Sequence, residues 1–533
     1  MSKYILVTSG VCSSLGKGVA TSAIGSLLES SGLKIAIMKC DPYINIDAGT
    51  ISPYQQGEVY VTEDGAETDS DLGNYSRFTN VSLNNQNLIT IGKVYDAVIR
   101  NERAGRYNGR TVQVIPHITD EIKRRIIAMG TKTGADVVIV EIGGTVGDIE
   151  SIPFLEVARQ LMHELGKGNC ITIHLTLIPT IIGGELKTKP TQNSVKQLQQ
   201  TGIQPDILLC RCDRMIDDDM RKKVAMFCNV GSNAVFTSTD LNSIYELPNS
   251  FHTQGMDARI FEKLKLGNRQ VNVKPWTDFV EHLRSPQKKV CVAMVGKKDY
   301  LDDCYKSVRE SLLHASVTSY NAELILKKID AETLEGTSDI SPFFNGVDAI
   351  IIPGNYGQRG FLGLLQTVRY ARENNIPYLG IDLGMQLMPI ETARTLLGWK
   401  DADSTEFMQN SEHPVISLPE EQSGAISSGI MKLGASGVNI EKETKLYDIY
   451  QKDVINERHR SKYTFDKRYA QDMADKGLII SAKSSEDGQI EGFEWKEHPW
   501  GLGIQFHPEF VSRPTKPHPI FISFIGAALD QHK

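Results

Sequence analysis

Short apolar, β-branched runs separated by stretches long enough for a helix constrain this chain more than any other feature. Tyr4-Ile5-Leu6-Val7-Thr8 opens the sequence, a glycine-bearing turn follows, and a helix-like segment runs from about Gly18 to Ser31. Comparable runs at 35–38, 136–141, 170–177 and 206–210 repeat the pattern. A strand followed by a helix-length gap rejoins its neighbour in parallel, so residues 1–270 predict one α/β domain on a parallel, doubly wound sheet. Over 271–289, Pro275, Pro286 and Gln287-Lys288-Lys289 break the pattern and predict a linker. A new strand begins at Val290-Cys291-Val292-Ala293-Met294-Val295, and Ala349-Ile350-Ile351-Ile352-Pro353-Gly354 ends a buried strand at a loop, so 290–533 predicts a second α/β domain.

Composition narrows the function classes. The 533 residues are 40% hydrophobic and 23% charged, a balance that buries a real core. The formal net charge of −7 and the lack of a basic tract argue against nucleic acid or an anionic membrane as partner. Eight scattered cysteines, with Cys210 and Cys212 too close and too isolated for a zinc site or disulfide framework, predict a reducing, cytoplasmic setting. The start of the chain reads as a strand rather than a secretory leader, and no apolar run reaches the length of a membrane span.

Phosphate chemistry is suggested by Ser9-Gly10-Val11-Cys12-Ser13-Ser14-Leu15-Gly16-Lys17-Gly18, which follows the first strand. Glycine lets backbone amides turn onto phosphate and Lys17 adds a point charge. The spacing is one residue longer than in a standard P-loop and Gly18 stands where Ser or Thr meets magnesium, so a plain strand-to-helix turn is the competing reading. Asp64, Glu67, Asp69 and Asp71 crowd one segment, and Glu141 closes an apolar strand before Gly143-Gly144-Thr145-Val146-Gly147-Asp148. Carboxylates at strand ends suit Mg²⁺ with nucleotide phosphates; taken alone, 64–71 reads rather as a solvated acidic loop, while Glu141 needs a partner. Glu185-Leu186-Lys187-Thr188-Lys189-Pro190-Thr191-Gln192 is either a triphosphate clamp or an exposed basic loop.

Six runs together resemble the CTP synthase family: 13–18, 41–45, 64–69, 111–117, 143–151 and 187–192. The resemblance extends over essentially the whole chain. It implies a P-loop, Rossmann-like amidoligase domain that phosphorylates O4 of UTP with ATP, ammonia then displacing phosphate from C4. Carried over, Ser13, Ser14, Leu15, Gly16, Lys17 and Gly18 bind nucleotide, and Lys17 and Lys39 hold the transferring phosphate. Asp71 and Glu141 bind Mg²⁺, and Asp148, Glu150, Lys187, Lys189, Gln192 and Lys223 line the pyrimidine site. A homotetramer with shared nucleotide sites is implied too.

The second domain resembles a flavodoxin-like class I glutamine amidotransferase, with Tyr378-Leu379-Gly380-Ile381-Asp382-Leu383-Gly384-Met385-Gln386 as nucleophile elbow. The family carries cysteine where this chain has Asp382. A carboxylate is a poor nucleophile towards an unactivated amide, so loss of glutaminase activity is expected. His507 and Glu509 remain, and an ion pair between His507 and Asp382 is expected. Gly354 and Gln386 keep their places, and Glu406 and Arg460 are of the types the family uses to recognise glutamine. Asn355 replaces a glycine in the oxyanion loop, Asn193 and Gln56 replace histidines, and Lys462 replaces an arginine. Three readings follow: amination of UTP by free ammonia or another amine, a specialised paralogue joining an amino-bearing metabolite to UTP, or an idle partner of an active synthase. A role for GTP as effector is doubtful on the same grounds.

Overall fold

The computed structural model describes residues 2–47, 49, 51, 57–297, 302–419 and 431–531, so Gln56 lies outside the described residues. The chain divides into two compact units, Met1–Ile51 with Asp71–Val280, and Ser52–Ser70 with Glu281–Lys533.

In the first unit seven strands make one sheet: β1 (Lys3–Ser9), β2 (Ile35–Asp41), β3 (Leu88–Thr90), β4 (Val137–Ile142), β5 (Cys170–Leu177), β6 (Ile207–Cys212) and β7 (Val235–Thr239). Their order is β3-β2-β4-β1-β5-β6-β7, and every pairing is parallel. Helices on both faces make the strands read as continuous apolar runs; β4 is buried at every position, Glu141 included. The chain builds outward from β1 through β2 and β3, returns at β4, then crosses to β5. The switch point therefore lies at the carboxyl end of β1, where open α/β sheets form their ligand crevice.

The second unit holds a nine-stranded sheet of β8 (Lys288–Gly296), β9 (Ala322–Asp330), β10 (Ala349–Ile352), β11 (Tyr378–Ile381), β12 (Lys432–Ile440), β13 (Val454–Ser461), β14 (Leu478–Ser484), β15 (Ile490–Trp495) and β16 (Gly501–Ile504). The order is β9-β8-β10-β11-β16-β15-β14-β12-β13. Its first five strands are parallel in the flavodoxin-like order, and the rest extend it antiparallel.

Two expectations are corrected. The supposed linker contains a helix, Lys274–Arg284, with Pro275 in its first turn, where a missing N–H breaks no helical hydrogen bond. Its Trp276 ring stacks on Phe78 at 5.2 Å, and Tyr245 meets Phe279 at 5.1 Å. Lys288 and Lys289 look like loop because they are the exposed first residues of β8. Residues 57–70, placed by sequence in the first domain, belong to the second unit. Tyr60–Val61 pairs with Glu67–Thr68 there, the Tyr60 hydroxyl donates to Phe510 O at 2.8 Å, and Arg458 donates to Val61 O at 3.0 Å. A two-residue strand carries no periodicity that reveals which core it joins. Trp276→Ala removes the buried ring that pins the helix and is expected to destabilise the first unit by about 3–5 kcal/mol, read as an earlier unfolding transition in urea.

Candidate functional site

At the switch point β1 ends at Ser9, residues 10–16 form the loop, and Lys17 starts helix α1 (Lys17–Ser30). Val11 and Ser14 adopt φ of 80° and 59°, and Cys12, Ser13 and Ser14 are exposed along the loop while Leu15 is buried. The Lys17 ammonium donates to Ser9 Oγ at 3.2 Å and Gly144 O at 3.1 Å. Lys39, near the end of β2, lies 2.6 Å from Asp71 Oδ2 and 3.6 Å from Asp41 Oδ2. Glu141, 1% exposed on β4, accepts a hydrogen bond from the Tyr75 hydroxyl. At Gly18, where a standard P-loop has Ser or Thr, a Cβ would fall 2.0 Å from Asp71 Oδ1, so the Asp71 side chain occupies the space beside that position.

Burial pushes the Glu141 carboxyl up to about 7, with Asp71 adding to the shift and Lys39, Lys17 and Tyr75 opposing it. Burial likewise holds the Lys17 ammonium below its usual value, Lys39 adding and Glu141, Asp71 and Asp41 opposing. The crevice thus contains two cations and three carboxylates, of which Lys39, Asp41 and Glu141 are buried and Lys17 and Asp71 half-buried. Sequence reasoning missed Asp41, Tyr75 and Arg211. The Arg211 guanidinium, on β6 and paired with Asp240, comes within 3.8 Å of a Cβ position on Gly16. A lone arginine inside an apolar strand was the available signal.

The pyrimidine candidates are spread more widely. Asp148 and Glu150 are exposed after β4, Asp148 accepting from Thr145 N at 3.3 Å. Lys187 pairs with Glu185 at 2.6 Å, exposed Lys189 opens helix Lys189–Gln200, and buried Gln192 donates to Thr188 Oγ1 at 3.1 Å. Lys223 is exposed on helix Asp218–Cys228, and Asn193 is exposed beside Gln192. Among the described residues, no hydrogen bond or ion pair joins any two of these six candidates.

In the second unit β11 runs into helix Leu383–Thr392 through Asp382, whose φ of 49° and ψ of −104° are those of a strained turn. Gly384 permits it, since a Cβ there falls 2.4 Å from Ile352 O. Asp382 is 2% exposed, and its Oδ1 accepts from Gln505 Nε2 at 2.6 Å and Gln386 Nε2 at 3.4 Å. His507 Nδ1 meets Glu509 Oε1 at 2.8 Å, and among the described residues its buried Nε2 has no hydrogen-bond partner. The expected ion pair with Asp382 is therefore not formed: Gln505 and Gln386 hold the aspartate and Glu509 holds the imidazole. The two side chains still converge on one spot, with a Cβ on Gly354 falling 2.8 Å from His507 Cε1 and 3.4 Å from Asp382 Oδ2.

Burial raises Asp382 to about 7; His507, the Leu383 N–H and Arg460 oppose that shift and Glu406 adds to it. Burial lowers His507, but Glu509 and then Asp382 outweigh it and leave the imidazole raised. Arg460 donates to Glu67 Oε1 at 2.9 Å and lies over the Tyr356 ring at 5.4 Å. Asn355 locks the adjoining loop: its Nδ2 donates to the Tyr305 hydroxyl and its Oδ1 accepts from Tyr356 N, both at 2.8 Å. Gly357 N donates to Glu406 Oε1, and Lys462 acts on Glu406 from nearby.

The model of the CTP synthase N-terminus matches residues 3–266 and that of glutamine amidotransferase class-I matches residues 300–527. The CTP synthase of Aquifex aeolicus (strain VF5) is 50% identical over 533 residues, covering 99% of this chain and 99% of that relative. That of Carboxydothermus hydrogenoformans is 47% identical over 535 residues, covering 100% of each. Among solved structures, the Trypanosoma brucei CTPS glutaminase domain with bound acivicin is 36% identical with a TM-score of 0.43, covering 45% of this chain and 94% of that one.

The chain belongs to the CTP synthase family. It is an enzyme, a ligase of pyrimidine biosynthesis with an appended class I glutamine amidotransferase domain. Among the described residues no helix is long and apolar enough to cross a membrane.

The electrostatics of Asp382 yield a pH prediction. A carboxyl raised from 3.8 to about 7 keeps a proton in the folded state that the unfolded chain releases, so its contribution to stability falls as pH climbs through that window. Asp382→Asn removes this penalty while keeping an oxygen for Gln505. Its stability relative to the parent is expected to grow from pH 4 to pH 8, by an amount on the order of 1–3 kcal/mol in denaturant titrations.

Proposed function

We propose that this protein aminates UTP at C4, using ATP to make a 4-phosphorylated intermediate and ammonia or another amine as nitrogen donor, without hydrolysing glutamine. The observation that carries the nitrogen-source reading is Asp382 at the elbow, its carboxylate engaged by Gln505 beside a His507 that has no thiol to activate. The balance is UTP, ATP and ammonia to CTP, ADP and phosphate. Lys17 and Lys39 neutralise charge on the transferring phosphoryl group, and no protein nucleophile is needed in that half.

The first crevice fits Mg²⁺. Among the described residues no group of three or more His, Cys, Asp or Glu surrounds a common metal position, but Asp71 and Glu141 supply oxygen donors of the kind and number that Mg²⁺ uses with nucleotide phosphates. A carboxyl raised to about 7 at Glu141 reflects poor solvation that a dication would relieve. Bound there, Mg²⁺ would supply charge neutralisation and alignment of the triphosphate.

Two features of the second unit support loss of glutaminase activity beyond the missing thiol. The Tyr356 and Gly357 N–H groups of the oxyanion-type loop already have acceptors in Asn355 and Glu406. An oxyanion hole needs donors aimed at developing charge. Asp382 and Glu406 are both raised by burial, and a cationic amine bound between them would offset that cost in a way a neutral amide would not, which supports the second reading, an amino-bearing metabolite as donor. Exposed apolar side chains on the first unit, among them Ile44, Ile149, Ile152 and Ile182, support a homotetramer, and the exposure of Asp148, Glu150 and Lys223 is in keeping with pyrimidine sites completed by another subunit.

Purified protein with UTP, ATP, Mg²⁺ and ammonium is expected to form the 4-amino nucleotide and ADP, with glutamine giving no product above background. Absence of turnover with ammonium and with a panel of primary amines across pH 6–9 would sink the reading. Lys39→Ala is expected to lower kcat/KM for ammonium-dependent turnover by about 100-fold or more, measured by ADP release. Asp382→Cys, which restores a thiol beside His507, is expected to gain slow glutamine hydrolysis detectable as released glutamate.

A further inference from the structure

The elbow of the second unit brings two buried acceptors to one spot. Asp382 is 2% exposed, and its Oδ1 is served by Gln505 Nε2 at 2.6 Å and Gln386 Nε2 at 3.4 Å, bonds in which Oδ2 takes no part. His507 is 6% exposed, with Nδ1 2.8 Å from Glu509 Oε1. An ionised carboxylate only accepts, so Nδ1 carries the ring proton and Nε2 of the neutral imidazole is an acceptor. Among the described residues that nitrogen is buried and has no hydrogen-bond partner. A buried acceptor without a donor calls for a ligand that supplies one.

The geometry limits the size of that ligand. A Cβ on Gly354 would fall 2.8 Å from His507 Cε1 and 3.4 Å from Asp382 Oδ2, so the Gly354 backbone and the two side chains wall one narrow space. Its charge is limited by Asp382, whose carboxyl is raised by burial and further by Glu406, a cost that a cation beside it offsets. Arg460 is engaged by Glu67 Oε1 at 2.9 Å, and Lys297 donates to Gly357 O.

The cation must also donate hydrogen bonds. Among the described residues no group of three or more His, Cys, Asp or Glu surrounds a common position, so the ligand set of a metal ion is incomplete here. Hard monatomic cations favour oxygen and gain little from an imidazole nitrogen. Water satisfies both acceptors but leaves the carboxylate charge uncompensated. Ammonium is small, donates to both and carries the charge.

We propose that Asp382 and His507 form an ammonium-binding site within the second unit, Asp382 Oδ2 and His507 Nε2 each accepting one of the ion's hydrogens. The inference deepens the proposed function by naming the ion this elbow takes, and it rests on that reading for the use made of the ion. His507 is also placed as its base: an N–H bond of ammonium breaks, the proton passes to Nε2, and ammonia keeps the electron pair. Glu509 and Asp382 stabilise the resulting imidazolium, which returns its proton to water.

The test is thermal unfolding of the full-length protein at pH 8 in rising ammonium chloride, against potassium chloride at equal ionic strength. Potassium matches ammonium in charge and nearly in size but has no hydrogen to donate. In the parent, ammonium is expected to raise Tm above the potassium series and to saturate. Asp382→Asn, whose amide can donate to His507 Nε2 in the ion's place, is expected to weaken ammonium binding by at least about tenfold. Asp382→Ala serves the same purpose should the asparagine variant fail to fold. At pH 6 the parent is expected to lose most of the difference, because Asp382, facing His507, Arg460 and Glu406, takes up a proton and His507, facing Glu509, Asp382 and Arg460, becomes charged. Equal responses to the two salts in the parent, or a parent-like ammonium response in the folded variant, overturn the site. Ammonium-dependent conversion of UTP is followed in the same preparation. Conversion without ammonium-specific stabilisation overturns the site and leaves the amination reading standing. Stabilisation that Asp382→Asn abolishes, without conversion, upholds the site and overturns the amination reading.

Discussion

A carboxylate with almost no water, Glu141 at the end of a fully buried strand, is the constraint on which the first unit depends. An ionised group in that position is tolerated only with cations or hydrogen-bond donors nearby. The fold supplies them from separate elements: Lys17 from the start of α1, Lys39 from β2 and Tyr75 from the helix Ser70–Phe78. Each of those elements is placed by the parallel sheet, because β1 lies between β4 and β5 and β2 lies on the far side of β4. The same arrangement leaves Lys17 with a depressed ammonium and three carboxylates around two lysines. Such a site gains from a ligand that brings phosphate oxygens and a dication together, since each offsets the charge the other would leave uncompensated.

Much of this was legible in the sequence, for identifiable reasons. Parallel strands covered on both faces must be apolar throughout, so β1, β2, β4, β5 and β6 announce themselves as β-branched runs, and a charge closing such a run marks Glu141. The elbow is legible because close backbone approach at Gly384 admits no side chain. Less visible is anything decided by tertiary contact alone. Proline at 275 reads as a breaker, although in the first turn of a helix it is neutral, and only the stacking of Trp276 on Phe78 shows that a helix is there. Residues 57–70 carry no sign that Tyr60 will bond to Phe510 and Arg458 in the second unit. The acidic run at 64–71 is split accordingly, Glu67 pairing with Arg460 while Asp71 pairs with Lys39.

The hydrogen bonding at Asp382 was equally hidden. Sequence order puts an acid and a histidine into one catalytic constellation and so suggests an ion pair. Each instead has nearer partners, Gln505 and Gln386 for Asp382 and Glu509 for His507. The buried Nε2 left over on His507 has the direction a general base uses towards a nucleophile, but the side chain opposite it is an acid that burial already pushes towards protonation.

What keeps the elbow in shape around Asp382 is packing rather than chemistry. The strained backbone at Asp382 is imposed by the approach of Gly384 to Ile352 and by β11 lying between β10 and β16. Neither depends on which side chain residue 382 carries, so substitution there can change the reaction without loosening the fold. The first unit offers no such freedom. Lys17, Lys39, Asp71 and Glu141 act on one another's charge, and removing either lysine takes away a cation that offsets the buried Glu141 carboxylate. Asp382 does feel the charges of His507, Arg460 and Glu406, but the backbone that holds it is fixed by packing, whereas the lysines and carboxylates of the first unit are held by one another's charge. On that argument position 382 is open to substitution without loss of the elbow, whereas the charged crevice of the first unit is the part least able to change one residue at a time.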